Sequence, residues 1–318
     1  MIEQQELRFR AGDVSLAGTL TLPRADGRVP WVVMVPSWLP RDRDGGWDRS
    51  RHPDWFADEQ GAPGLFARLA EALAERGVAS LRYDPRGCGA SDGAWERTAL
   101  FTRIDDARDA IGAMRSRPEL DLRRTAVLGH GEGAGVAMSV AIGDPAIAAV
   151  GLVGASARSL RTVLRRGSSE RARLGTDRRH PIVSALDDRT EELIERADRG
   201  EATMTLDVAG SAVTLDLAGW DQAFHTPPIA LATMLHRSVV LLHGAADAWA
   251  EPGESRLLVD ALRDAGNDPL RRVVEGAGHD LGGAPDGVIG EYVTALAARI
   301  EPRELPPVLV AIEEMGRA

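Results

Sequence analysis

The stretch AVLGHGEGAGVAMSV, residues 126–140, changes its hydrophobic period within a few positions. An apolar run comes first, glycines follow at Gly129, Gly131 and Gly133, and mostly small and apolar residues then continue without interruption. An apolar run of this length that ends in glycines is typical of a buried strand, and the segment after it has the composition of a buried helix. The stretch therefore predicts a strand, a tight turn and a helix that begins directly after the turn.

Alternating strand and helix patterns extend from this stretch in both directions. Helical patterns cover 64–76, 103–116, 132–142, about 254–265 and about 286–300, and residues 7–23 alternate around a Gly-Asp turn as in an antiparallel hairpin. Strands that alternate with helices form mostly parallel sheets covered on both faces. The fold class predicted is α/β: a mostly parallel sheet, an N-terminal antiparallel hairpin and helices on both faces. Short runs rich in β-branched residues predict the strands at 31–36, 78–84, 125–129, 148–154, 238–244 and 271–276.

A long interruption separates the strand at 148–154 from the strand at 238–244. Its first part is rich in arginine, and the apolar spacing of PIVSALDDRTEELIERA (181–197) favours helices. A segment of this length is either a subdomain or a disordered loop, and the helical spacing favours the subdomain. We therefore predict a core formed by 1–155 and 236–318, with a helical cap insertion at 156–235. The segment PRELPPVL (302–309) predicts a break before a short tail.

Composition limits the partners and the chemistry. The net charge of −10 argues against nucleic acid and anionic membranes as partners, so a small-molecule substrate is expected. The 38 basic residues are all arginine, which excludes a lysine nucleophile or Schiff base. Cys88 is the one cysteine, which excludes a disulfide framework and a cysteine metal cluster. No metal or organic cofactor is predicted. The opening MIEQQELRFR lacks a signal-peptide pattern, so we expect a cytoplasmic protein; the oligomeric state is left open.

Residues that can carry chemistry follow three of the predicted strands. The glycine-rich turn at 129–133 comes first, Asp247 follows the strand at 238–244, and His279 follows the strand at 271–276. Ligands of open parallel sheets bind at the carboxyl ends of the strands. The turn, the acid and the histidine are therefore expected to meet at one edge of the sheet.

Four segments in this order resemble the α/β-hydrolase superfamily, in particular its serine esterase, thioesterase and acyl-peptidase-like group. The resemblance implies that Asp247 is the acid and His279 the base of a catalytic triad. In the G-x-S-x-G nucleophile elbow of that group, serine would stand at position 131, where this chain has Gly131. The resembling segments are RYDPRGCGASDG (82–93), RPELDLRRTAVLGHGEGAG (117–135), LLHGAADAW (241–249) and GAGHDL (276–281).

The resemblance also implies an oxyanion hole. The backbone N–H of Glu132 supplies half of it, because Glu132 follows the nucleophile position. The other half normally comes from the loop after the 31–36 strand, where the family commonly has His-Gly. This chain has Pro36 and Ser37 there, and Pro36 has no N–H. Trp38 is then the expected donor. Two elements of the site thus depart from the family together, which favours a naturally altered site.

Glycine at position 131 keeps the turn and removes the hydroxyl, since glycine tolerates unusual backbone angles. A His279–Asp247 pair without serine still provides general-base catalysis of about 10²–10⁴-fold. It could activate water beside Gly131, or drive elimination or cyclisation. The leading hypothesis is an enzyme that acts on a small or medium apolar ester, thioester or carbonyl compound. The alternatives are a serine esterase or thioesterase inactivated by the change to glycine, and a non-catalytic ligand-binding protein.

Further residues are candidates for the substrate pocket, each with a plainer alternative. Trp47 and Trp55 lie near Trp38 in a loop expected above the site, where they line the pocket or pack between loop and cap. Ser37 is either a displaced nucleophile or an ordinary loop residue. The remaining candidates are His130, expected as a packing residue of the elbow, and Asp221 and His225, for which a place on the cap surface is the safer interpretation.

Overall fold

The computed structural model describes residues 2–57, 64–174 and 180–315. Its main sheet has eight strands in the order β1-β2-β4-β3-β5-β6-β9-β10. The strands from β4 through β3, β5, β6 and β9 to β10 pair in parallel, while β1 and β2 pair antiparallel with each other and β2 with β4. The strands are β1 (Glu3–Ala11), β2 (Val14–Leu22), β3 (Val29–Val35), β4 (Ala79–Tyr83), β5 (Leu120–His130), β6 (Ile147–Val153), β9 (Ser238–Gly244) and β10 (Leu270–Val274).

The central strands are apolar because both faces of the sheet are covered. All seven residues of β3 and of β6 are buried, which is the pattern of a strand between two helical layers. The N-terminal hairpin turns at Gly12, whose φ of +56° lies in the left-handed region that glycine adopts readily. The predicted mostly parallel sheet with an antiparallel N-terminal hairpin is confirmed.

Helices cover both faces of the sheet. One apolar cluster contains side chains of α2 and α3 packed with Val33 and Val127, and a second contains side chains of α1 and α10 packed with Val32 and Met34. Successive strand residues point to opposite faces, so these alternating partners place the two helix pairs on opposite sides. The helices of the core are α1 (Leu65–Ala74), α2 (Leu100–Met114), α3 (Gly133–Gly143), α9 (Pro252–Asp264), α10 (Asp286–Ala297) and α11 (Pro307–Met315).

Residues 154–237, which join β6 to β9, are called the insertion below. The expectation of a largely helical segment is wrong in one part, since β7 and β8 form an antiparallel hairpin. Met204, Leu206 and Val208 are buried while their neighbours in β7 are exposed, so the signal was a two-residue alternation. The short tail predicted near the C-terminal end contains helix α11, to which the sequence analysis assigned no secondary structure. The insertion contains α4 (Leu160–Leu174), α5 (Pro181–Asp188), α6 (Thr190–Asp198), β7 (Thr203–Val208), β8 (Ser211–Asp216), α7 (Leu217–His225) and α8 (Pro228–Ala232).

Within the described residues, no helix combines the length and the apolar composition needed to cross a bilayer.

Candidate active site

The turn between β5 and α3 has the geometry of a nucleophile elbow without a side chain at its apex. Gly131 has a φ of +58°, and its N–H donates a hydrogen bond to the carbonyl of Val153 on the next strand, at 2.9 Å. This backbone conformation is one that residues with a Cβ rarely adopt. Gly131 is therefore held at the carboxyl edge of the sheet by its neighbour strand, in the left-handed conformation that glycine adopts without strain.

The glycines on either side of the apex allow close backbone contacts. A Cβ on Gly129 would lie 2.2 Å from the carbonyl oxygen of Gly133, and one on Gly133 would lie 2.5 Å from the carbonyl oxygens of Val35 and Pro36. Any other residue would push α3 away from the ends of β5 and β3. The two glycines thus seat the start of α3 directly against the loop that follows β3.

The acid–base pair is assembled from the ends of two other strands. Asp247 follows β9 and His279 follows β10, and the Nδ1 of His279 lies 2.8 Å from Oδ2 of Asp247. The second oxygen, Oδ1, accepts hydrogen bonds from the backbone N–H groups of Trp249 at 2.8 Å and Ala250 at 2.9 Å. Both carboxylate oxygens are therefore engaged. The bond to the carboxylate assigns the proton of neutral His279 to Nδ1 and leaves Nε2 as a base.

Opposing effects set the pKa of each member of this pair. Burial lowers the pKa of His279, but the charge and the hydrogen bond of Asp247 more than offset this and hold it above its usual 6.5. Burial raises the pKa of Asp247, while the positive charge of His279 and their hydrogen bond leave it below its usual 3.8. Each shift favours the charged form of the residue, so the pair is built to hold a proton on the imidazole beside a carboxylate.

The free nitrogen of His279 faces the empty position at the elbow. A Cβ placed on Gly131 would lie 2.9 Å from His279 Nε2 and 3.0 Å from Ser37 Oγ. Ser37 is 7% exposed and lines the same pocket as Gly131 and His279. The space that a serine side chain would occupy at residue 131 is therefore bounded by an imidazole and by another hydroxyl.

Two backbone N–H groups make the same region suited to binding an anion. Neither Glu132 nor Trp38 donates its backbone N–H to any part of the chain that the structure describes, and both residues line the pocket. Glu132 immediately precedes α3, whose N-terminal end carries partial positive charge. Unbonded N–H groups at a helix start can stabilise a negative oxygen.

Arg103 of α2 bonds to both segments that carry these donors, and the sequence analysis missed it. Its Nη2 donates to the carbonyl of Pro36 at 2.8 Å, and its Nη1 pairs with the carboxylate of Glu132. The Glu132 side chain is thus held by an ion pair beside its own backbone N–H. The available signal was a basic residue next to Ile104 on the buried face of α2.

His130 supports the histidine loop from behind. Its Nε2 lies 3.2 Å from the carbonyl oxygen of His279 and 3.3 Å from Oδ1 of Asp280, whose other oxygen pairs with Arg41 at 2.7 Å. Burial, and then the charge of His279, lower the pKa of His130 to about 3, so this imidazole is neutral. His130 is absent from the residues that line the pocket, so its candidacy as a pocket residue is wrong, and its contacts are those of a packing residue.

The same loop contains the one donor cluster found among the described residues that could hold a metal. Donor atoms of His130, His279 and Asp280 lie within 4.8 Å of one another. Arg41 already pairs with Asp280, and Asp247 already binds His279. A cation there would compete with a guanidinium for the carboxylate, so we assign no metal to these residues.

A pocket of about 720 Å³ opens in front of His279. Its walls come from the core and from the insertion and are mainly apolar, including Trp38, whose ring packs edge-to-face on Trp220 with centroids 4.6 Å apart. One polar end carries Arg158, which pairs with Glu254 at 2.7 Å. The apolar wall consists mainly of Trp38, Leu39, Leu100, Leu160, Val163, Ala223, Pro228, Leu231 and Trp249.

Two tryptophans predicted to line this pocket lie elsewhere. Trp47 stacks on Phe56 at 4.8 Å and contacts His180 of the insertion, also at 4.8 Å. Trp55 stacks on His52, with ring centroids 4.1 Å apart. Neither is among the pocket residues. The pocket assignment of both is wrong: Trp47 packs between the loop and the insertion, and the ring of Trp55 packs on His52, Phe56 and Trp95.

The two candidates of α7 also lie outside the pocket. The side chains of Asp221 and His225 are 48% and 64% exposed, and they face each other across one helical turn with Nδ1 and Oδ1 3.2 Å apart. Ala223, between them on the opposite side of α7, is the residue that lines the pocket. The pocket assignment of Asp221 and His225 is therefore wrong, and both belong to the surface.

Comparisons with known proteins agree with this architecture. Residues 62–168 match the family described as serine aminopeptidase, S33. A segment of 119 residues, 37% of this chain, is 29% identical to the esterase EstD of Thermotoga maritima and spans a quarter of the length of that relative.

Solved structures are similar over nearly the whole chain. Est1E of Butyrivibrio proteoclasticus with bound ferulic acid gives a TM-score of 0.65 at 15% identity, covering 92% of this chain and 99% of that one. An esterase of Pyrococcus furiosus gives 0.64 at 16%, covering 94% and 92%. DcsB in complex with its substrate analogue gives 0.63 at 16%, covering 94% and 99%. The sheet order, the elbow and these similarities together show that the chain has the α/β-hydrolase fold.

Proposed function

We propose that this protein is a hydrolase of small or medium apolar esters or thioesters in which His279, oriented by Asp247, is the general base. The observation that carries the proposal is the position of His279. Its Nδ1 is bound to a buried carboxylate, and its Nε2 faces Gly131 at the wall of an apolar pocket. The match to an esterase and the similar folds of two solved esterases support the same reaction class.

The reaction begins when the substrate carbonyl lies over the elbow. His279 Nε2 removes a proton from the attacking hydroxyl group, and Asp247 stabilises the imidazolium that forms. The carbonyl oxygen becomes negative, and the N–H groups of Glu132 and Trp38 are available to bind it. The imidazolium then returns its proton to the departing alcohol or thiol. Each of these residues has one task, and none of the tasks requires a side chain at residue 131.

The pocket favours an apolar acyl or alkyl group. Most of the residues that line the pocket are apolar, as in typical small-molecule sites. Leu160 and Val163 of α4, Ala223 of α7 and Leu231 of α8 contribute apolar surface from the insertion. We therefore propose that the insertion is a cap over the site, and that Arg158, held by its ion pair with Glu254, leaves one end of the pocket polar.

Steady-state hydrolysis of p-nitrophenyl acetate, butyrate and octanoate tests the proposal. We expect turnover by the wild type, with the longer chains preferred over acetate, and its loss in His279→Ala. His236→Ala is the matched control, because His236 is exposed and lies outside the pocket. Binding of the esters without turnover would instead indicate a ligand-binding protein. Turnover that His279→Ala leaves unchanged would refute the assignment of the base.

A further inference from the structure

We infer that Ser37 is the nucleophile of this site, an inference that rests on the proposed ester hydrolysis. The nucleophile of this superfamily is a serine on the elbow, and residue 131 cannot supply one. The Ser37 hydroxyl oxygen lies 3.0 Å from the point where a Cβ of residue 131 would stand, and His279 Nε2 lies 2.9 Å from the same point. A hydroxyl from the loop after β3 thus borders the space that the elbow serine would fill, and the same base borders it too.

The other hydroxyl groups of the pocket are less suited to this role. The Ser156 hydroxyl is engaged by the Glu254 carboxylate and the Arg158 backbone. The hydroxyl of Thr226 donates to the carbonyl of Gln222 at 2.9 Å. Ser139 lies six residues after Gly133, the first residue of α3, which corresponds to a rise of about 9 Å along the helix. Ser37 combines a place in the pocket with proximity to His279, and no described residue makes a hydrogen bond with its Oγ.

The segment that carries Ser37 is fixed against the elbow. Pro36 restricts the backbone before Ser37, and its carbonyl accepts a hydrogen bond from Arg103 at 2.8 Å. The same carbonyl would lie 2.5 Å from a Cβ on Gly133, so it sits directly against the start of α3. This close packing holds the Ser37 backbone beside Gly131. No hydrogen bond joins Ser37 Oγ to His279 among the described residues, so the inference requires Ser37 to rotate about χ1 until its hydroxyl meets Nε2.

The proposed chemistry has two halves. In the first, His279 Nε2 takes the proton of the Ser37 hydroxyl, Oγ bonds to the carbonyl carbon, and the ester C–O or thioester C–S bond breaks. The leaving alcohol or thiol receives the proton from His279, and an acyl group remains on Ser37. In the second half, His279 removes a proton from water, the hydroxide attacks the acyl carbon, and the proton returns to Ser37 as the acid departs. The sum is ester plus water giving acid plus alcohol.

A fluorophosphonate probe tests the assignment, because it bonds covalently to an activated serine. We expect the wild type to be labelled and the phosphonylated peptide to map to Ser37 by mass spectrometry. Ser37→Ala should lose the label and reduce kcat by about 10³-fold or more. Ser116→Ala is the control, since Ser116 is exposed at the end of α2. Circular dichroism melting of each variant shows whether it is folded.

A second variant keeps the test decisive if Ser37→Ala folds poorly. Ser37→Cys introduces a thiol beside His279, and iodoacetamide should alkylate it faster than it alkylates the wild type. Cys88, the one native cysteine, is fully buried, and burial raises the pKa of its thiol well above the usual value. Adding His279→Ala to Ser37→Cys should slow the alkylation, because the neighbouring base is lost.

The outcomes separate this inference from the proposed function. Ester turnover that depends on His279 but persists in Ser37→Ala, with no label on Ser37, would overturn Ser37 as nucleophile and leave general-base hydrolysis through water. A label mapped to another serine would also overturn it. Failure of the wild type to hydrolyse any of the esters would count against the proposed function itself.

Discussion

The elbow at 129–133 and the acid–base loops at Asp247 and His279 meet at the same edge of the sheet, yet they differ in what they retain. The acid–base loops retain the side chains of Asp247 and His279, and both carboxylate oxygens of Asp247 accept hydrogen bonds. The elbow retains its backbone: a φ of +58° at Gly131, a free N–H at Glu132 and close packing at its flanking glycines. This difference shows that the fold can preserve the backbone geometry of an elbow without a nucleophilic side chain at its apex.

Removal of the base His279 should produce the largest decrease in kcat among the changes to the loops that carry Asp247 and His279. His279→Ala is expected to reduce kcat for p-nitrophenyl butyrate by about 10³–10⁴-fold, toward the upper limit of general acid–base catalysis. His236→Ala should retain wild-type kcat. A decrease in kcat of less than tenfold in His279→Ala would show that the His279–Asp247 pair is not catalytic.

Asp247→Asn should produce a smaller decrease and a shift of the pH profile. We expect a fall in kcat of about 10²–10³-fold, because the imidazolium loses its stabilising charge and the proton is no longer fixed on Nδ1. Neutral His279 is the active form, so wild-type activity should rise with pH through a pKa above 6.5. In Asp247→Asn, burial still lowers the pKa of His279, but the negative charge that opposed this effect is gone. The acid limb of the pH profile should therefore move to lower pH.

The same pair makes a prediction for stability. The raised pKa of His279 stabilises the folded state below pH 6.5, and this contribution is lost as the pH rises through the folded pKa. The lowered pKa of Asp247 stabilises the fold above pH 3.8 and is lost as the pH falls. Urea unfolding from pH 4 to pH 9 should therefore show a decline of wild-type stability on the alkaline side that is smaller in Asp247→Asn. An equal decline in both would contradict the coupling of the two groups.

The variant Arg103→Met tests whether the backbone N–H groups of Glu132 and Trp38 contribute to catalysis. Arg103→Met removes the bond to Pro36 and the ion pair with Glu132, so the Trp38 and Glu132 N–H groups should lose their alignment. We expect kcat to fall by about tenfold, less than the cost of losing a whole oxyanion-hole donor, with KM within about twofold of the wild type. Arg108→Met is the control, since Arg108 lies on the same helix with a half-exposed side chain. A change in KM alone would assign Arg103 to substrate binding instead.

The sequence predicted the core of this fold well because its signals are local. Apolar runs of strand length, glycines at 129, 131 and 133, and helical spacing lie within single elements, and the structure places those elements as expected. The β7–β8 hairpin was missed because its alternation is short and lies in a segment whose flanks are helical. Helix α11 was not predicted because Pro306 and Pro307 were interpreted as a break, although Pro307 is its first residue and proline is common at a helix start.

The site could be predicted in part for the same physical reason. Asp247, His279 and Gly131 occupy strand ends, and parallel strands bring their ends together whatever lies between them. Trp47 and Trp55 could not be placed, because composition does not say whether a loop tryptophan faces a pocket or the insertion. Arg103 lies far from the site in sequence, and only the packing of α2 against α3 brings it to Pro36 and Glu132.

The most direct test of the central claim, that the elbow contributes backbone while the nucleophile lies elsewhere, is kcat/KM of Gly131→Ser on p-nitrophenyl butyrate, with Gly131→Ala beside it. A Cβ at this position would lie 2.9 Å from His279 Nε2 and 3.0 Å from Ser37 Oγ. We predict that both variants fall below the wild type by about tenfold or more, because the added atom displaces base and hydroxyl. A Gly131→Ser enzyme faster than the wild type, with Gly131→Ala slower, would contradict the account and identify a serine esterase disabled at its elbow.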